Sequence, residues 1–199
     1  MRSAWSCAMA AVLVLLLPAL AQAHAGGSDT GLMNGLMHPV FGPDHLLAMV
    51  SVGVVSVQLG GNNIWRLPAA FVGAMTVGGA VGIQQIGFPT ELGIAISVLV
   101  LGVGILVAHR AMSPWVITGL VVFFGACHGH AHGLEIPKSV DPVLYTLGFV
   151  ISTAVLHLFG VIIGEVATLQ MWLRTGLRLS GGLVAASGAA FLLQTLVVA

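Results

Sequence analysis

The chain has 199 residues, of which 58% are hydrophobic and only 6% are charged, against roughly 25% charged residues in an ordinary soluble domain. This composition excludes a soluble globule and predicts a membrane protein. Six basic and six acidic side chains give a net charge of zero, and no basic run is present that would neutralise phosphates, so we expect no nucleic acid partner. The eight histidines outnumber either charged class, and they require an explanation.

The N-terminal segment has the three parts of a secretory signal peptide. Arg2 supplies the positive charge, an apolar run follows, and the run ends in an Ala-x-Ala pattern at residues 21–23, which is typical of a cleavage site. We therefore expect residues 1–23 to be removed and residues 24–199 to form one transmembrane domain. Its first residue, His24, would then lie outside the cytoplasm. The alternative is a first transmembrane helix that is left uncut.

Six apolar stretches follow the leader, and each is long enough, or nearly so, to cross a hydrocarbon core of about 30 Å at about 1.5 Å per residue. They lie at about Leu32–Leu59, Leu67–Phe88, Leu92–Ala108, Trp115–Gly129, Val143–Leu169 and Leu177–Val198. The sequence therefore predicts an all-α membrane protein with six transmembrane helices. Three helices followed by three more, with histidines in the first and fourth, also permit a 3+3 inverted repeat.

The basic residues predict the same orientation as the leader does. With the N-terminus outside, the loops after the first, third and fifth helices face the cytoplasm. These loops carry four arginines, whereas the outward loops carry Lys138 alone, as the positive-inside rule requires. The four arginines are Arg66, Arg110, Arg174 and Arg178.

The first histidine cluster, from His38 to His45, lies in the predicted first helix. Ionisable side chains at bilayer depth are costly and usually mark ion pathways or cofactor sites. In an ideal helix His38 and His45 would lie about 10.5 Å apart along the axis, which is too far for one ion. Two prolines and a glycine between them can break the helix and bring His38 towards Asp44 and His45. The alternative is a helix that starts at Asp44, with His38 in a loop.

The second cluster ends the predicted fourth helix, between Cys127 and Glu135. His128 and His132 are four residues apart and Glu135 follows three later, so these side chains share one helical face. Two imidazoles and a carboxylate at this spacing can ligate nickel, cobalt, copper or zinc. His130 points to another face and a lone Cys127 is typical of packing, so both are weaker candidates. The alternative is a hydrated helix end.

Both clusters lie in the extracytoplasmic half, because the first helix runs inward and the fourth runs outward. The fifth helix adds His157 near the middle of the membrane and Glu165 towards the cytoplasm. These two residues either extend a polar path or are a satisfied core histidine and a snorkelling glutamate.

The two clusters resemble the motifs of the HupE/UreJ family of nickel permeases, which are associated with hydrogenase and urease maturation in bacteria. The family's first pattern, H-x5-D-H, is matched by His38, Asp44 and His45. Its second pattern, F-H-G-x-[AV]-H-G-x-E, is matched over residues 128–135, with Cys127 where the pattern has phenylalanine. The resemblance implies a multi-pass protein of the bacterial inner membrane that carries Ni²⁺ from the periplasm to the cytoplasm.

Sequence and resemblance together predict a permease and not an enzyme. We expect Ni²⁺, or else Co²⁺, as the transported substrate, and no tightly bound cofactor. The sequence has no G-x4-G-K-[ST] motif, so ATP hydrolysis by this chain is excluded, and facilitated diffusion and proton coupling both stay open. The alternative function is a membrane redox protein with bis-histidine haem, which the carboxylates in the two motifs disfavour. The expected metal ligands are His38, Asp44, His45, His128, His132 and Glu135.

Overall fold

The computed structural model describes residues 30–84, 87, 89–107 and 113–198, which form seven α-helices and no β-strand. In chain order the helices are α1 (Thr30–Phe41), α2 (Pro43–Leu59), α3 (Asn63–Gly82), α4 (Thr90–Val107), α5 (Pro114–Glu135), α6 (Pro142–Thr168) and α7 (Met171–Val198). The predicted signal peptide at residues 1–23 and His24 lie outside the described residues.

Five of these helices, α3 to α7, are long and apolar enough to cross a membrane, and the bent pair α1 and α2 makes a sixth where the two are counted as one broken span. The all-helical prediction is therefore confirmed for the part of the chain that the structure describes. Three of the predicted bounds differ by six residues: α3 ends at Gly82 instead of Phe88, α5 continues to Glu135 instead of ending at Gly129, and α7 begins at Met171 instead of Leu177.

The predicted first helix, Leu32–Leu59, is two helices that meet at Gly42 with a bend of 79°. Pro43 has no N–H to donate to the carbonyl of Pro39, and its ring would clash with that carbonyl in a continuous helix. α2 therefore starts again at Pro43, with Gly42 as its N-cap. The predicted break is confirmed. The alternative with His38 in a loop is wrong, because His38 lies inside α1.

The helices approach closely through glycines, since lipid supplies no hydrophobic drive for helix association. A Cβ on Gly129 of α5 would overlap the carbonyl oxygen of Met75 of α3, and one on Gly125 would crowd the backbone of Phe71. The two helices thus run parallel and nearly in backbone contact.

The α2 and α6 pair has the same construction. A Cβ on Gly53 of α2 would overlap the carbonyl oxygen of His157 of α6, and Gly164 of α6 abuts Val57 of α2. These contacts fix the two helices parallel to each other. The third close pair is α4 with α7, which run antiparallel because Gly102 abuts Ala185 and Gly188 abuts Leu99.

The spans therefore pair first with fifth, second with fourth and third with sixth. An inverted repeat that exchanges the first three spans with the last three would produce this pairing. The repeat itself stays a prediction.

The described basic residues distinguish the two ends of the bundle. Three arginines lie at one end, where α2 turns into α3 and α6 into α7, and Lys138 lies at the other, between α5 and α6. Arg178 Nε donates to the carbonyl of Leu106 at the end of α4, at 3.0 Å. We name these the arginine end and the Lys138 end. The three arginines are Arg66, Arg174 and Arg178, while Arg110 lies outside the described residues.

Candidate metal site

Three of the expected ligands lie together at the Lys138 end. His38 of α1 and His132 and Glu135 of α5 each offer one donor atom, and these atoms lie within 4.8 Å of one another. The side chains of Glu135 and His38 are 49% and 35% exposed, whereas His132 is buried. We call these three residues the mouth group. It faces the surface on one side and the interior of the bundle on the other.

Helix geometry accounts for the mouth group. His132 and Glu135 are three residues apart on α5 and share a face. The bend after α1 brings His38 to them from the opposite side, with its Nε2 3.7 Å from Glu135 Oε2. α1 keeps this position because it packs closely on α6, where a Cβ on Gly35 would overlap the carbonyl oxygen of Tyr145.

His45 and His128 continue the cluster into the bundle. The ring centroid of His45 lies 4.5 Å from that of His132 and 5.0 Å from that of His128, and the rings of His38 and His132 are 4.6 Å apart. The broken helix places His38 and His45 with ring centroids 6.0 Å apart. Four imidazoles therefore follow one another, in the order 38, 132, 45, 128, from a partly exposed position to a fully buried one.

Asp44 lies behind His45. Its Oδ1 accepts a hydrogen bond from the backbone amide of His45 at 2.8 Å and from the ring Nδ1 at 2.7 Å. This contact assigns the proton to Nδ1 and leaves Nε2 with the lone pair that a metal needs. Asp44 was expected among the ligands, and the structure places the oxygen that is hydrogen-bonded to His45 where it orients that ring.

Several ring nitrogens of the cluster have no hydrogen-bond partner among the described residues: Nε2 of His45, Nε2 of His128 and both nitrogens of His132. His128 Nδ1 donates to the carbonyl of Phe124 at 2.9 Å, so its Nε2 is also the atom with the lone pair. A buried polar atom without a partner costs about 1–3 kcal/mol, and such groups require an explanation. A bound cation would use these lone pairs.

Aromatic side chains that the sequence analysis did not single out close the cluster. The ring of Phe149 packs on that of His132, with centroids 3.8 Å apart, and the ring of Phe71 lies 5.4 Å from that of His128. Tyr145 lies 6.1 Å from the ring of His38. It is the single tyrosine of the chain, so the sequence alone distinguishes it from the other residues of α6.

The two weaker candidates of α5 lie against neighbouring helices. Cys127 is buried, and a Cβ on Gly93 of α4 would lie 2.7 Å from its Sγ. His130 is buried as well, and its carbonyl oxygen lies against Gly82 of α3. Neither belongs to the group of donor atoms found at the mouth among the described residues.

The two polar residues of α6 have different surroundings. His157 is 1% exposed, its ring lies 5.1 Å from that of Phe71, and its Nδ1 donates to the carbonyl of Thr153 at 2.6 Å. Glu165 is exposed. The structure therefore places His157 in the interior and Glu165 on the surface.

The chain is similar to known proteins over most of its length. The family model described as HupE / UreJ protein matches residues 12–191, which include both histidine motifs. Protein HupE of Rhizobium leguminosarum bv. viciae is 41% identical over 185 residues, covering 89% of this chain and 93% of that protein. No solved structure gives a significant match. The chain therefore belongs to the HupE/UreJ family, which is associated with nickel and cobalt transport for hydrogenase or urease.

Proposed function

We propose that this chain is a permease of the bacterial inner membrane that carries Ni²⁺ from the periplasm to the cytoplasm, where a hydrogenase or a urease takes it up. Membership of the HupE/UreJ family supports metal transport. The observation that carries the proposal is the row of four imidazoles, which starts beside a partly exposed carboxylate and ends inside the bundle. Its three buried members, His132, His45 and His128, have ring nitrogens without a hydrogen-bond partner among the described residues.

In this proposal the mouth group receives the ion. Glu135 is the most exposed of the three, so its carboxylate meets the hydrated dication first and favours it electrostatically. His38 and His132 then replace water in the coordination shell, since imidazole is a ligand that suits nickel, cobalt, copper and zinc. Co²⁺ has the same ligand preferences and is the competing substrate.

The ion then passes to His45 and His128 by exchange of one ligand at a time. Ring spacings of 4.5 and 5.0 Å place the next imidazole beside the last one, so one bond forms while another breaks. Conduction requires binding that is strong enough to admit the ion and weak enough to release it. Asp44 serves this step as a positioning residue, because it holds His45 with Nε2 free.

The charges at the two ends support an orientation of the chain in the membrane. Arginines at one end of the bundle and Lys138 at the other favour a cytoplasmic location for the arginine end. The mouth group then faces the periplasm, in agreement with the predicted signal peptide.

We propose further that the metal is cargo and that the protein has no resident cofactor. The competing hypothesis is a bis-histidine haem, which needs an apolar surrounding for its macrocycle. Two carboxylates, Asp44 and Glu135, stand beside the imidazoles and suit a dication better. A visible absorption spectrum of the purified protein tests the point, because a haem band would overturn the cargo assignment.

The decisive experiment is uptake of radioactive nickel by bacteria that lack their own nickel permeases, with and without this chain. We expect uptake that saturates with nickel and is reduced by excess Co²⁺ more than by excess Mg²⁺. Inverted vesicles from the same cells should take up less nickel than intact cells under an inward gradient. Equal uptake with and without the chain would contradict the proposal.

A further inference from the structure

Three buried side chains from three helices meet below the histidine cluster. The hydroxyl of Thr153 on α6 lies 3.4 Å from the sulfur of Met49 on α2 and 3.7 Å from the sulfur of Met75 on α3. Thr153 and Met49 are 0% exposed and Met75 is 2% exposed. One hydroxyl thus lies within hydrogen-bond distance of two thioether sulfurs in the interior and can donate to either of them.

The register of the helices places these sulfurs directly inward of the proposed site. Met49 and Thr153 each follow, by four residues, a side chain that touches His132, namely His45 and Phe149. Because α2 and α6 run parallel, four residues carry both chains about 6 Å deeper. Met49 therefore lies one helical turn further along the path that starts at the mouth, and the sulfur of Met75 meets it there beside the hydroxyl of Thr153.

His157 adds a nitrogen at this depth. Its Nδ1 donates to the carbonyl of Thr153 at 2.6 Å, so its Nε2 has the lone pair, and Nε2 has no hydrogen-bond partner among the described residues. The ring lies 5.1 Å from that of Phe71, which in turn lies 5.4 Å from the ring of His128. His157 follows Thr153 by four residues on α6, so it is the buried imidazole that lies beside Thr153.

We propose that Met49, Met75 and His157 form a second, inner binding position for a soft or borderline transition-metal cation. Met49 and Met75 bind through their sulfurs and His157 binds through Nε2, while Thr153 positions all three. This inference rests on the proposed function, because it gives the transported ion a second binding site between the histidine cluster and the arginine end.

The chemistry of this position differs from that of the mouth. Thioether sulfur and imidazole bind late first-row metals, whereas Mg²⁺ and Ca²⁺ require oxygen ligands. The inner position has no carboxylate among its three ligands, so it holds a dication less strongly than the mouth group does and favours onward release. It is thus suited to reject hard cations that the exposed carboxylate admits.

The test measures nickel transport by the full chain in proteoliposomes, with kcat and KM determined separately. Met49→Leu/Met75→Leu removes both sulfurs at nearly constant volume, and Met33→Leu/Met171→Leu is the matched control, because both of its methionines are exposed. We expect the first variant to lose about 10-fold or more in kcat, by analogy with the loss of groups that support a metal site. KM for external nickel should stay the same, since the mouth group is intact.

A spectroscopic measurement separates binding from packing. Nickel X-ray absorption of wild-type protein, loaded with enough nickel to fill both the mouth group and the inner position, should show sulfur in the first coordination shell, and the Met49→Leu/Met75→Leu variant should not. Wild-type protein that transports nickel but shows no sulfur ligand would overturn the inner position, even if kcat fell in the variant. Unchanged kcat in the variant would overturn it as well.

A second pair of variants tests the inner position if the Met49→Leu/Met75→Leu variant inserts poorly into the membrane. Thr153→Ser keeps the hydroxyl that holds the sulfurs, whereas Thr153→Val removes it, and we expect a lower kcat for the valine variant alone. Equal rates for these two variants would overturn the positioning role and the inner position with it. A wild-type protein that transports no nickel would instead overturn the proposed function itself.

Discussion

The α3–α5 pair and the α4–α7 pair both pack closely through glycines, but only the α3–α5 pair has expected metal ligands beside its contact. Gly129 of α5 abuts Met75 of α3, much as Gly102 of α4 abuts Ala185 of α7. α5 carries three of the expected metal ligands beside that contact, whereas α4 and α7 carry none of the six. Glycines therefore set the distance between two helices. The polar residues beside the glycines determine whether the contact can also bind a ligand.

A second difference lies in helix continuity. α4 and α7 are uninterrupted, whereas the first span bends by 79° between α1 and α2. The bend is what brings His38 back over His132, because a straight helix would have carried it away from His45. In a membrane, irregular backbone of this kind is tolerated where it lies against protein or lines a cavity. The candidate site thus depends on two features: the break between α1 and α2, and the close packing of α3 on α5.

The largest effect is expected from filling the glycine contact beside the site. Gly129→Leu would force the side chain into the carbonyl of Met75, whereas the Cβ position of Gly119, on the same helix, has open space. Overpacking a tight interior typically costs about 1–3 kcal/mol and occasionally more. We expect Gly129→Leu to lower both membrane abundance and melting temperature, with Gly119→Leu close to wild type. Equal abundance of the two variants would show that the α3–α5 contact is looser than described.

Removing an imidazole should abolish transport without loss of protein. His45→Ala and His132→Ala each delete one of two rings that touch at 4.5 Å, so each should reduce nickel uptake to background at normal membrane abundance. The double variant should be no worse than the poorer single one, because residues that act as a unit are not additive. Nickel affinity of the purified variants measures this coupling. Independent losses that multiply would indicate two separate sites.

The positioning of His45 should have an intermediate effect. Asp44→Asn replaces the carboxylate that orients the ring, and changes of this kind cost about 10–100-fold in metal affinity or activity. Asp141→Asn is the matched control, because Asp141 caps α6 at an exposed position and asparagine caps a helix equally well. Nickel uptake at limiting metal is the measurement. Similar losses in both variants would argue against a specific role for Asp44.

The features that were predictable from the sequence have strong local causes. Long apolar runs with few charges predict spanning helices, and two prolines around a glycine predict the break before α2. The i, i+4 spacing of His128 and His132 gives them a common face in any helix. The orientation that the arginines indicate placed both histidine clusters in the same half of the membrane.

The features that were not predictable depend on register between helices. Phe149, Phe71 and the methionines of α2 and α3 lie in apolar segments where nothing distinguishes them from neighbours that face lipid. Thr153 likewise resembles any hydroxyl in such a helix. The predicted apolar stretch ends at Gly129, whereas α5 continues to Glu135, and Gly129 and Gly133 within it allow close packing on α3.

The smallest effect is expected at Glu165, near the arginine end, which can be compared directly with Glu135 at the Lys138 end. Glu135 belongs to the mouth group, with Oε2 3.7 Å from His38, so Glu135→Gln should lower uptake clearly at limiting nickel. Glu165 is exposed near the end of α6, whereas His157 of the same helix is buried, so Glu165 does not continue the interior row. Glu165→Gln should therefore leave both the rate and its dependence on external pH unchanged. A loss of uptake in Glu165→Gln that grows as the proton gradient is raised would instead make this residue part of a proton relay, and transport would then be proton-coupled.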